Sequence, residues 1–147
     1  MEEIKFERCK GFGEEIILPT RATAGSAGYD IRSAENVIIK PSEQKVFKTG
    51  IKAKFGKGKV LLIAVRSSIG IKRHLILPNG VGVIDSDYYN NKETDGQIFM
   101  ALYNIGTEPQ EIKAGERIAQ GIFIPFFKTA DDKASGERQG GIGSTNE

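Results

Sequence analysis

Apolar residues in this chain come in short runs rich in Ile, Val and Phe, and turn residues cut each run before it reaches helical length. The runs are EEIILP (14–19), GYDIRSA (28–34), NVIIK (36–40), KVFKTGIKAKF (45–55), KVLLIAV (59–65), GVGVID (80–85), QIFMALYNI (97–105), QEIKAG (110–115) and RIAQGIFIPF (117–126). The cuts fall at Pro41-Ser42, Gly56-Lys57-Gly58, Pro78-Asn79-Gly80 and Thr107-Glu108-Pro109. Many short strands at such spacing predict an all-β barrel or sandwich. No window sustains a 3.6-residue apolar period. The one helix expected is a turn or two near residues 67–74, with Ser67 or Ser68 as its cap. With 147 residues the chain is long enough for one real core and too short for two.

The composition changes near the end. Residues 1–127 carry the strand signals, whereas in KTADDKASGERQGGIGSTNE (128–147) apolar residues nearly vanish. Such a tail cannot bury enough surface to order itself, and a frayed, flexible terminus is the plain expectation. Against it stand Arg138, a Gly-Gly pair and Gly143-Ser144-Thr145, a phosphate-friendly composition.

Charge excludes several classes of partner. Net charge is +2, from 21 basic and 19 acidic residues, so no strong polyanion field arises. The lysines of KTGIKAKFGKGK (48–59) fit the solvated outer face of a strand-turn-strand. No aromatic interleaving accompanies them, so a nucleic-acid partner is not expected. Cys9 is the only cysteine, which rules out an intrachain disulfide and a cysteine zinc cluster and fits a reduced, cytoplasmic setting. The N-terminus has no signal-peptide pattern, and no apolar run approaches the ~18 residues of a membrane span. His74, the sole histidine, fits a structural or surface role.

Chemistry concentrates in NGVGVIDSDYYNN (79–91), where a glycine-broken apolar run ends in Asp85 and Asp87 and then a tyrosine pair. A carboxylate there is either a general base or the cap of a turn. Arg66-Ser67-Ser68 follows an apolar strand and is either a phosphate grip at a helix start or a structural cap. Read alone, Gln120 is a strand residue facing solvent and Asp30 belongs to a surface turn.

Taken in order, SAGYD (26–30), RSSIG (66–70), NGVGVIDSDYYNN, GERIAQGIF (115–123) and RQGGIGST (138–145) resemble the five motifs of the homotrimeric dUTPases, over residues 18–145. The resemblance implies a jelly-roll-like barrel, a homotrimer with shared active sites, and hydrolysis of dUTP to dUMP and pyrophosphate. That reaction limits uracil in DNA and supplies dUMP for dTMP synthesis. It implies that Asp85 activates the water attacking the α-phosphorus and meets the sugar 3′-hydroxyl. Tyr88 packs on the deoxyribose and excludes a 2′-hydroxyl. Asn79 and the backbone of Gly82, Val83 and Ile84 read uracil. Arg66, Ser67 and Ser68 hold the phosphates, and Gln120 stands near the α-phosphate and the water. Asp30 holds Mg²⁺ through a water, which suits an ion that keeps its hydration. Arg138 reaches the γ-phosphate, with Gly143 and Ser144 as further donors. One copy contributes the first, second and fourth motifs, another the uracil pocket and base, and the third its tail.

Three departures accompany the resemblance. One residue is missing between Arg138 and the Gly-Gly pair. Ile142 replaces a phenylalanine that stacks on uracil, so tail closure is expected to rely more on phosphate contacts. YYNNKETDG (88–96) is longer than the usual link and is expected to form a polar hairpin loop. The resemblance extends to some phage members that bind repressor proteins, so this loop is a place for a regulatory partner. Two other readings remain: a nucleotide-gated binding trimer without catalysis, and a dCTP deaminase of the same fold, disfavoured because that enzyme uses a glutamate near the pyrimidine and VIDSDY offers an aspartate.

Overall fold

The computed structural model describes residues 3–143. Its backbone is built from short strands in four antiparallel sheets. β1 (Lys5–Arg8) pairs with β6 (Ile51–Lys54), and β4 (Val37–Ile39) with β11 (Gln110–Ile112). β5 (Gln44–Lys48), β10 (Phe99–Asn104) and β8 (Leu75–Ile76) form a third sheet, in that order. The largest runs β2 (Thr20–Arg21), β3 (Tyr29–Arg32), β12 (Arg117–Pro125), β7 (Lys59–Val65), β9 (Gly82–Ile84). The all-β expectation holds. Among the described residues no helix is long and apolar enough to cross a membrane.

Two expectations about elements need correcting. EEIILP is not a strand. The Ile16 amide donates to the Gly13 carbonyl at 3.1 Å and the Glu15 carboxylate accepts from the Gly13 amide at 2.7 Å. Those local bonds close a turn in place of strand pairing. The run KVFKTGIKAKF splits at Thr49-Gly50 into β5 and β6, which join different sheets.

Alternation along the strands defines the core. Leu61 and Ile63 of β7, Ile31 of β3 and Ile118 of β12 point inward and are fully or nearly fully buried, together with Ile39, Leu75, Leu102 and Ile112. Each such side chain contributes about 1.5–3 kcal/mol relative to exposure. Phe6, Tyr29, Phe55 and Phe123 close one end as an aromatic cluster, with ring centroids 5.4–6.2 Å apart. Asn104 is completely buried and satisfied: its amide donates to the Ile39 and Glu108 carbonyls, and its oxygen accepts from the Gly106 amide.

The other face of the large sheet is also apolar. Val60 lies opposite Ile124, and Leu62 lies between Ile122 and Val83. Val83 is 56 % exposed. On that face Val60, Leu62, Ile122 and Ile124 are half-buried.

Candidate active site in two halves

The first half stands at one end of the large sheet. Asp30 of β3 pairs in register with Gln120 of β12, and Gln120 with Ala64 of β7. Opposed residues share a face, so Asp30 and Gln120 project together, on the side away from Ile31 and Ala119. Arg66 follows the end of β7, with its Nε 3.7 Å from the Asp30 carboxylate. Arg117 approaches the same carboxylate at 3.3 Å. One acid thus holds two guanidiniums side by side, an arrangement that leaves donor N–H groups for a polyanion. Gly28 fixes Gln120: a Cβ there would overlap the Gln120 amide oxygen and lie 2.9 Å from its Cβ. Only a glycine allows that approach.

Ser67 and Ser68 enter a single π-helical turn, Ser68–Lys72. Ser67 occupies the cap position without a side-chain capping bond. The capping role expected for it is therefore not made, and its hydroxyl stays available. The Ile69 and Gly70 amides both donate to the Arg66 carbonyl. Those two amides are spent within the turn, and the Arg66 side chain and the serine hydroxyls stand beside it. Arg73 clamps the far end of the turn through Gln110 and Glu116.

The second half lies beyond β9. Asn79 sits exposed in the turn before the strand, and Asp85 follows it. A 3₁₀ turn, Ser86–Tyr88, then buries the Tyr88 ring, whose hydroxyl donates to the Gln97 carbonyl. Burial pushes the Tyr88 phenol above its ordinary value, so it stays neutral. Asp85 and Asp87 are both exposed, and Arg138 is drawn onto them. Its Nη2 donates to Asp85, and its Nε to Asp87 at 3.0 Å. Gly140 lies where a Cβ would overlap the Glu93 carboxylate, and a Cβ on Gly141 would meet the Tyr88 ring at 3.1 Å.

The tail differs from a frayed terminus at one place. Residues 128–137 are exposed, as their composition requires, but Arg138 is largely buried and Gly140 fully so. Opposite charge supplies what apolar burial does not. Residues 138–141 sit on Asp85, Asp87 and Tyr88 of the same chain. Ile142 is 87 % exposed, and Gly143 is exposed too. Ser144 lies outside the described residues.

The two halves do not meet. Ile84 pairs with Leu61, which places Asp85 level with Val60. Arg66 lies six residues further along β7, about 20 Å at ~3.3 Å per residue. No pair of side chains spans that gap to grip one phosphorus.

The 88–96 segment is not a hairpin, since the strands flanking it, β9 and β10, belong to different sheets. It is a chain of turns stitched by Asn91, whose amide donates to the Tyr88 carbonyl at 2.7 Å and whose oxygen accepts from the Glu93 and Thr94 amides. Lys52 likewise departs from the solvated lysine face expected of residues 48–59, being 8 % exposed beneath that segment. Sequence reasoning assigned no role to Arg117, Gly28 or Lys52. Arg117 and Gly28 stood inside quoted motifs, so that signal was available; for Lys52 there was none. Cys9 is buried, and burial pushes its thiol up to about 11, which suits a structural residue.

Among the described residues no group of three or more His, Cys, Asp or Glu is placed to hold a metal ion directly. Asp30 is a lone carboxylate beside cations, a donor set that fits outer-sphere contact with a hydrated Mg²⁺ and not a direct protein cage.

The dUTPase family profile matches residues 14–146. The chain is 47 % identical over 132 residues to the deoxyuridine 5'-triphosphate nucleotidohydrolase of Lactococcus lactis, covering 88 % of each. A crystal structure of dUTPase from Streptococcus mutans superposes with a TM-score of 0.81 at 42 % identity, covering 85 % of this chain and 98 % of that one. The chain belongs to the dUTPase family. A dUTPase of Staphylococcus bacteriophage 80alpha shares the fold at 22 % identity, with a TM-score of 0.75 over 92 % of this chain and 98 % of that one.

Proposed function

We propose that this dUTPase-family chain hydrolyses dUTP to dUMP and pyrophosphate, in a homotrimer whose active sites join the two halves from different copies. The observation that carries the reading is their separation along β7, together with the chemistry of each half. Asp30, Arg66, Arg117 and Gln120 make a polyanion grip without a base. Asp85 and Tyr88 make a base and a sugar wall, with the tail's Arg138 as the one cation on them. The apolar outer face of β7, β9 and β12 is the surface by which copies would bring them together.

In this reading Asn79 and the backbone of Gly82, Val83 and Ile84 face the uracil edge, and Tyr88 stacks against the deoxyribose. Arg66, Ser67, Ser68 and Gln120 of a neighbouring copy orient the triphosphate. Asp85 accepts a proton from the water as its oxygen bonds to the α-phosphorus, and the bond to the bridging oxygen breaks to release pyrophosphate. Catalysis is then mainly positioning and electrostatics. Mg²⁺, when bound with its waters held by Asp30, supplies charge neutralisation on the triphosphate. Arg138 and Asp85 are paired in the free chain, and a triphosphate competes for the guanidinium and releases the base. The tail residues 138–143 then close over the nucleotide.

The test is release of pyrophosphate and nucleoside monophosphate from dUTP, UTP, dTTP and dCTP with Mg²⁺, for wild type and Asp85→Asn. The expected result is hydrolysis confined to dUTP and lost in the variant. Ammonia release from dCTP would instead favour a deaminase, and dUTP binding without turnover a regulatory trimer. A regulatory partner at residues 88–96 would meet Lys92 and Glu93, which stay exposed while Asn91 and Gly96 are buried. A pull-down with and without dUTP tests that.

A further inference from the structure

Lys52 is buried by the segment that follows the base, not by the core. It stands on β6 between Ile51 and Ala53, both core residues, so alternation aims its side chain away from the interior. There residues 89–95 cover it. Its ammonium donates to Asn90 Oδ1 and to Asp95 Oδ1, the latter at 3.0 Å, and lies 5.2 Å from the centre of the Tyr89 ring. Asp95 uses its other oxygen to accept from the Lys10 amide at 3.0 Å. Tyr89 donates its hydroxyl to Glu7 at 2.6 Å, and Glu7 is the strand partner of Lys52.

Asn90 and Asp95 are the two anchors, and both adopt left-handed backbone, with φ of 57° and 62°. Non-glycine residues persist in that region when surroundings over-determine them. Both side chains accept from the Lys52 ammonium, and Asp95 also from the Lys10 amide. Between the anchors Asn91 ties the segment back to the Tyr88 carbonyl, and just beyond them the Gln97 carbonyl accepts the Tyr88 hydroxyl. Gln97 is itself held, its side-chain oxygen accepting from the Gly50 amide at 3.0 Å, two residues before Lys52. Tyr88 is thus gripped at its backbone and at its hydroxyl by a segment whose ends converge on Lys52.

We propose that Lys52 is a positioning residue for substrate selection: it sets Tyr88 as a rigid wall and thereby sets the preference for a 2′-deoxyribose. This rests on the reading of Tyr88 as the sugar wall given above. Lys52 touches no substrate. Without its charge Asn90 and Asp95 lose their common partner, the segment loosens, and Tyr88 yields to a 2′-hydroxyl.

The experiment compares kcat/KM for dUTP and for UTP in wild type, Lys52→Met and Asp95→Asn. The conservative Asp95→Asn keeps the fold if Lys52→Met does not. Asn104→Ala, a destabilising change in the core elsewhere, is the control for lost stability alone. The expected result is a dUTP-over-UTP preference at least tenfold lower in Lys52→Met and Asp95→Asn, carried mainly by improved use of UTP, with kcat for dUTP within about threefold of wild type. Asn104→Ala should keep the wild-type preference. An unchanged preference in both loop variants, or an equal change in Asn104→Ala, overturns the proposal while leaving dUTP hydrolysis standing. Failure of wild type to prefer dUTP would instead remove the reading on which it rests.

Discussion

Gly28 shows how much of this site rests on a missing side chain. Its Cα lies so close to the Gln120 amide that any Cβ would displace it. Gln120 is half-buried on β12 beside Asp30, so displacement would move it relative to Arg66 without opening the core. Gly28→Ala is therefore expected to lower kcat for dUTP by roughly 10–100-fold, since a misplacement of about 1 Å costs on that order. Thermal stability should change little. Equal activity in a folded Gly28→Ala protein would show that Gln120 has no positional role. The same residues show what was legible in the motif spacing. Asp30 and Gln120 were named from separate motifs, and the register of β3 on β12 places them side by side. Arg117 stands in the motif GERIAQGIF, but its place on Asp30 was not legible, because 87 residues separate the two and strand pairing joins them.

Among the elements, β10 carries the clearest prediction. Its last residue, Asn104, sits wholly inside the protein and joins Ile39 at the end of β4 to the turn at Gly106 and Glu108. Asn104→Ala would leave the buried Ile39 carbonyl, the Glu108 carbonyl and the Gly106 amide without this partner. The expected loss is about 2–4 kcal/mol of unfolding free energy, read as a lower midpoint in urea with an unchanged slope. A loss below about 0.5 kcal/mol would mean that water replaces the amide. Strand existence was legible from the apolar runs, because Ile, Val and Phe at period two suit a pleated surface. Strand ends were less so. EEIILP has the composition of a strand, yet the Glu15 carboxylate and Gly13 close a turn in it. Thr49 and Gly50 break what reads as one long strand, since the φ of +73° at Gly50 turns the chain between two sheets.

For the whole molecule, the distance along β7 makes a prediction that a single-chain site would not. If base and grip come from different copies, an inactive Asp85→Asn chain and an inactive Arg66→Ala chain should restore activity when refolded together. Random mixing gives intact sites in about a quarter of cases, because one copy must supply the grip and its neighbour the base. No activity in mixed assemblies would mean that each site is completed within one chain. The five motifs and their order were readable in the linear sequence, because chemistry restricts which residues stand at a base, a grip or a glycine turn. So was the all-β class, because alternation and turn residues act locally. The division of the site into two halves was not readable, because it depends on which end of β7 each motif reaches. Nor was the seat of Arg138 on Asp85 and Asp87, or the burial of Lys52, since both join charges far apart in the chain. Local physics sets which elements form; only packing brings distant charges into contact, and here those contacts seat the tail on the proposed base and the 88–96 segment on β6.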